Sequence, residues 1–235
     1  MSLCEAITRT GPIPDDGAPQ AVKKHYSEVL SRNLAEETAE GLRMVGFPRV
    51  KPERGGPGEK EFQGGLGPKK VDVSYSDEQH GLILAVSIKS INFAQFGKNL
   101  KNRFADLCTE AITLHMRFPY SVVCALFAFP VAADQDVTPG RTISTFQRAT
   151  KLLATVSGRV DHTDPLEKYE NVTMLLYQPI QGGKSEPWVR LIDARTGKEM
   201  TETCYFQMLR DLYNLRNPHS TIDEQNEAEQ ATNDV

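Results

Sequence analysis

The chain has 235 residues, of which 25% are charged and 39% hydrophobic, an ordinary balance for a globular protein with a sizeable core. The formal net charge is −4, but Asp223–Val235 holds five acids and no base; the rest carries 27 bases against 26 acids, so overall acidity does not exclude a nucleic-acid partner. The longest apolar run, Val122–Phe129, is too short to span a bilayer, and Met1–Asp16 has no apolar signal-peptide core. Cys4, Cys108, Cys124 and Cys204 are widely spaced without a zinc or disulfide pattern. A reduced, cytoplasmic protein without a membrane partner is expected.

Residues 1–20, rich in glycine, proline and aspartate, read as a flexible arm. Val22, Tyr26, Val29, Leu30, Leu34, Leu42 and Val45 then repeat at helical spacing, and Gly46 and Pro48 stop that helix. Lys51–Lys70 is glycine- and proline-rich and reads as a long loop that could hold a short strand. Two apolar segments, 69–75 and 82–90, flank the turn Ser76–Gly81 and predict a β-hairpin. Asn99–His115 predicts a helix with Leu100, Phe104, Leu107, Cys108, Ala111 and Leu114 on one side and Asn99, Arg103, Asp106 and Glu110 on the other. Val122–Val131 reads as a strand buried on both faces. A helix at 144–156, strands at 172–177 and 188–192, and a helix at 202–215 follow, closed by Asn217-Pro218. The expectation is one α/β domain over 21–220, a mixed central sheet flanked by helices, with an acidic tail at 221–235.

Asp72 and Lys89 interrupt the two apolar segments of the hairpin, where a charge is costly unless it has a task. Strand side chains alternate faces, so Ser87 and Lys89 point the same way. A carboxylate and a lysine converging at a sheet edge suit metal-assisted hydrolysis of a phosphodiester. Other chemistries lack their patterns. Gly182-Gly183-Lys184-Ser185 resembles the end of a phosphate-binding loop, but Gln178 stands where its first glycine belongs and Pro187 blocks the helix that must follow. The five histidines are scattered, and no Gly-x-Ser-x-Gly occurs.

The order over residues 25–130 is a helix, Gly46-Phe47, a Gly/Pro-rich stretch, a strand with Asp72, a turn, and a strand ending Ser87-Ile88-Lys89. It resembles the core of the PD-(D/E)XK, or restriction-endonuclease-like, nucleases. That family carries an aspartate on one strand and acid-x-lysine on the next, followed by a helix and a buried strand. This chain departs at Ser87, where the family usually has Glu or Asp. Some restriction enzymes with Ser-x-Lys recruit the acid from a nearby helix; other members with degraded motifs have lost activity.

The resemblance implies catalytic roles for Asp72, Ser87 and Lys89, with Ser87 leaving room for metal or water. It also implies Glu37, because resolvase-like members place an active-site glutamate in the first helix; Glu36 and Glu40 are its rivals. Mg²⁺ or Mn²⁺ would be held by Asp72 with Glu37, Asp106 or Glu110. Lys69, Lys70, Lys98, Lys101 and Arg103 would steer DNA. The expected activity is a metal-dependent DNA endonuclease of restriction or phage-defence type, acting as a homodimer or within a larger defence complex. The alternative is a degenerate relative that binds DNA or a partner protein without cutting.

Overall fold

The computed structural model describes residues 2–137, 140–182 and 185–222. The elements are α1 (Leu3–Thr10), α2 (Gln20–Met44), β1 (Lys60–Gly64), β2 (Gly67–Val71), β3 (Val73–Asp77), β4 (Gly81–Ser90), α3 (Phe96–Arg117), β5 (Val122–Pro130), α4 (Ala132–Gln135), α5 (Thr145–Ala154), β6 (Asn171–Tyr177), β7 (Val189–Asp193), β8 (Glu199–Met200) and α6 (Glu202–Arg216). Strands β3 to β8 form a mixed sheet in sequence order. The pairs β4–β5 and β5–β6 are parallel, and the others antiparallel. The β1–β2 hairpin is a separate two-stranded sheet.

Period-two alternation divides the core. Val73, Val86, Ile88, Cys124 and Leu126 pack with α1, α2 and α6 on one face. Ala85, Val123, Ala125, Phe127 and Met174 pack with α3 and α5 on the other. Every residue of β5 and β6 is buried, because helices cover both faces of these central strands. Gly41 is in van der Waals conflict with any added side chain: a Cβ there would lie 2.2 Å from the Phe206 ring, so α2 and α6 approach closely only through glycine.

Three expectations change. Residues 3–10 are not a flexible arm: Ser2 caps α1, and Leu3, Ala6 and Ile7 are fully buried against α2. The glycines and prolines that read as an arm are confined to residues 11–19. The stretch expected as a long loop contains β1 and β2. The segment expected as one strand at 69–75 is broken at Asp72, which lies between the end of the small hairpin and the start of the large sheet. The expected acidic tail, from Asp223 onward, and Gly183-Lys184 lie outside the described residues. Among the described residues no helix is long and apolar enough to cross a membrane.

Candidate active site

The break between β2 and β3 turns Asp72 toward the carboxyl end of β4. The register Val73↔Val86 brings Asp72 beside Ser87 and Ile88, and the Ile88 amide donates to Asp72 Oδ2 at 2.7 Å. Because Val86 and Ile88 face α2, Ser87 and Lys89 face α3. Lys89 Nζ donates to Ser87 Oγ at 2.8 Å, as the alternation requires.

Glu110 projects from α3 into the same place. Lys89 Nζ lies 3.5 Å from Asp72 Oδ2 and 3.1 Å from Glu110 Oε2, so the two carboxylate oxygens are no more than 6.6 Å apart. A second ammonium, Lys69 Nζ on β2, reaches Glu110 Oε2 at 3.0 Å. Asp72 and Glu110 are buried, at 8% and 1% exposure. Ser87 is also buried, its hydroxyl engaged by Lys89.

The electrostatics follow from burial set against pairing. Burial pushes the Asp72 carboxyl up to about 6, with Lys89 opposing and Glu110 reinforcing the rise. Glu110 goes the other way: burial raises it, but Lys89 and Lys69 together hold it below the usual carboxylate range. For Lys89, burial disfavours the charge, yet Asp72 and Glu110 hold the ammonium above its ordinary value. With all four groups ionised the cluster has no net charge.

The donors fit a hard divalent cation, which takes oxygen ligands and is often held by only one or two carboxylates plus water and substrate oxygens. Glu110 Oε1 is buried and accepts no hydrogen bond in the geometry of the described residues, which leaves it available as an oxygen ligand. Asp72 and Glu110 are the residues that would hold the ion. Among the described residues no group of three or more His, Cys, Asp or Glu is arranged to hold a metal, so water and substrate would have to complete its shell.

A cavity of about 900 Å³ opens over this cluster, with Lys69, Lys70, Asp72, Lys89, Arg103 and Asp106 in its walls. Lys98 lines an adjoining cavity that shares Arg103 and Asp106. Asp106 stays exposed and pairs with Arg103 at 3.3 Å.

The structure does not bring Glu37 or Lys101 to the site, and helical phase explains both. Successive helix residues are rotated by about 100°. Lys24, Glu28, Ser31 and Ala35 form the stripe of α2 that lines the cavity, and Glu37 lies about 200° around the helix from Ala35. There it is fully buried and pairs with Arg9 at 2.9 Å and with Arg54. Its rivals are also engaged elsewhere: Glu36 pairs with Arg9, and Glu40 with Arg43 at 2.7 Å. Lys101 is likewise about 200° from Asn99, exposed, and absent from the walls of both cavities.

A second buried ionic cluster had no signal in the sequence, because its members are far apart in the chain. Glu170 accepts from Arg159 at 3.0 Å, from Arg216 at 2.9 Å and from the Val123 amide at 2.8 Å. His115 Nε2 approaches it at 3.6 Å. It ties α3, β5, the segment entering β6 and α6 together and lines neither of these two cavities. No protein-family model, no curated protein and no solved structure matches this chain.

Proposed function

We propose that the chain is a divalent-cation-dependent endonuclease that hydrolyses phosphodiester bonds in DNA. The observation that carries this reading is the arrival of Glu110 beside Asp72 and Lys89. A helix supplies the carboxylate that the strand lacks at Ser87. The order α2, β3, β4, α3, β5, with β3–β4 antiparallel and β4–β5 parallel, supports a restriction-endonuclease-like core.

A divalent cation at Asp72 and Glu110 would polarise the phosphoryl oxygen and acidify a bound water. The chain's own groups do the rest. Lys89, an ammonium beside the reacting phosphate, orients the attacking water and stabilises charge that develops on the phosphoryl oxygens. Lys69 neutralises Glu110 and braces the β1–β2 hairpin against α3. Lys70, Lys98 and Arg103 supply cations along the cavity walls for the phosphate backbone. Because the Asp72–Glu110–Lys69–Lys89 cluster is already neutral, cation affinity is low until substrate phosphates add negative charge.

The test is cleavage of plasmid and linear DNA with Mg²⁺ or Mn²⁺, with EDTA as the control. Asp72→Asn, Glu110→Gln and Lys89→Met should each abolish cutting in correctly folded protein. Metal-dependent cutting that survives Lys89→Met would refute the assignment. The second reading, a domain that binds DNA without cutting, is favoured by the two lysines already neutralising both carboxylates. It predicts DNA binding that is unaffected by Mg²⁺ and no cleavage by wild type.

A further inference from the structure

The cavity over Asp72 and Lys89 adjoins a second one of about 820 Å³, and the two have Lys24, Ser27, Ser90, Arg103 and Asp106 in common. One stripe of α3 runs the length of both. Asn99, Asn102, Arg103, Asp106 and Thr109 line the cavities, and Glu110 ends the stripe among the buried carboxylates. At about 100° per residue these six fall within an arc of about 120°. The adjacent arc, with Leu100, Leu107, Ala111 and Leu114, is buried in the core, so packing of the apolar face fixes the direction of the polar one.

The second cavity offers more than charge. Lys98 and Arg103, the latter paired at 3.3 Å with Asp106 in the same wall, are cations suited to phosphate oxygens, but Asn99 and Asn102 present exposed carboxamides three residues apart on one helical face. A carboxamide carries a donor and an acceptor on one plane, the pattern that matches the edge of a base, adenine above all. The neighbouring Asn92 is different: it donates to Ser27 and Ser90 and accepts from Tyr177, so it is part of the scaffold.

Resting on the nuclease reading, we propose that this second cavity is a base-reading subsite for double-stranded DNA. Asn99 and Asn102 hydrogen-bond base edges while Lys98 and Arg103 hold the flanking phosphates. Asn102 and Asn99 precede Glu110 by eight and eleven residues, about 12 and 17 Å along a helix rising 1.5 Å per residue. For a duplex lying along α3, at 3.4 Å per base-pair step, the recognised bases would fall roughly three to five pairs from the scissile phosphate.

The experiment selects DNA from a randomised duplex pool by binding in EDTA, then sequences the ends cut from the same pool in Mg²⁺. It compares wild type, the double variant Asn99→Ala/Asn102→Ala, and Lys98→Ala. Both asparagines are exposed, so the double variant should fold, and circular dichroism checks that it does. Wild type should prefer particular bases three to five pairs from the cut, and the double variant should lose that preference by about tenfold or more while keeping its salt dependence. Lys98→Ala should keep the preference and reduce the salt slope by about 1. Wild type that binds and cuts without preference at those positions, or a double variant that retains it, overturns the subsite and leaves the nuclease reading standing. Wild type that neither binds nor cuts DNA overturns both.

Discussion

Replacing Asp72 by Asn should make the protein more stable while destroying its proposed activity. Asp72 is buried, and its carboxyl is pushed up to about 6, whereas an aspartate in the unfolded chain titrates near 3.9. The folded state therefore binds this proton more tightly than the unfolded state. The associated stability is present below about pH 4 and is lost as pH rises to about 6. A gap of about two pH units corresponds to about 3 kcal/mol, at about 1.4 kcal/mol per unit. Asparagine mimics the protonated carboxyl and cannot ionise, so Asp72→Asn should gain about 3 kcal/mol at pH 8 and less than about 1 kcal/mol at pH 4. Urea unfolding of both proteins at the two pH values, without divalent ions, measures the difference. Equal stability at pH 8, or a gain of the same size at pH 4, would show that Asp72 is not held ionised against its environment.

The opposite sign is expected at Lys89. Lys89→Met leaves Asp72 and Glu110 buried without their shared cation, so stability above pH 7 should fall by about 3–5 kcal/mol and partly return as pH falls toward 5, read by thermal unfolding across pH. Glu110→Gln should weaken Mn²⁺ binding as much as Asp72→Asn does; calorimetry in the presence of uncleavable DNA gives the comparison, and unchanged affinity would remove Glu110 from the metal set. Glu170→Ala strands Arg159 and Arg216 near the core and should destabilise by about 3–5 kcal/mol without changing DNA affinity, measured by urea unfolding and anisotropy. Gly41→Ala should cost about 1–3 kcal/mol, because the new methyl group overlaps the Phe206 ring; a neutral result in urea unfolding would mean that α6 moves freely against α2.

Local pattern determined most of the elements. Apolar spacing in α2 and α3, the fully apolar run of β5 and the turn before β4 are short-range signals, and each appears in the structure near its expected bounds. Part of the site was equally legible. Period-two alternation put Ser87 and Lys89 on one face, and helical phase put Asn99, Arg103, Asp106 and Glu110 on one side of α3. The same phase argument, applied to α3, would have set Lys101 aside, whereas Glu37 could be set aside only once the face of α2 that lines the cavity was known. What the sequence could not supply was which surfaces meet. The kink at Asp72, the choice of Glu110 over Asp106, the use of Lys69 as a partner for Glu110, and the burial of α1 all depend on contacts between segments distant in sequence. Such contacts are set by the packing of whole faces, α3 on one side of the sheet and α1, α2 and α6 on the other, and no local periodicity records that choice.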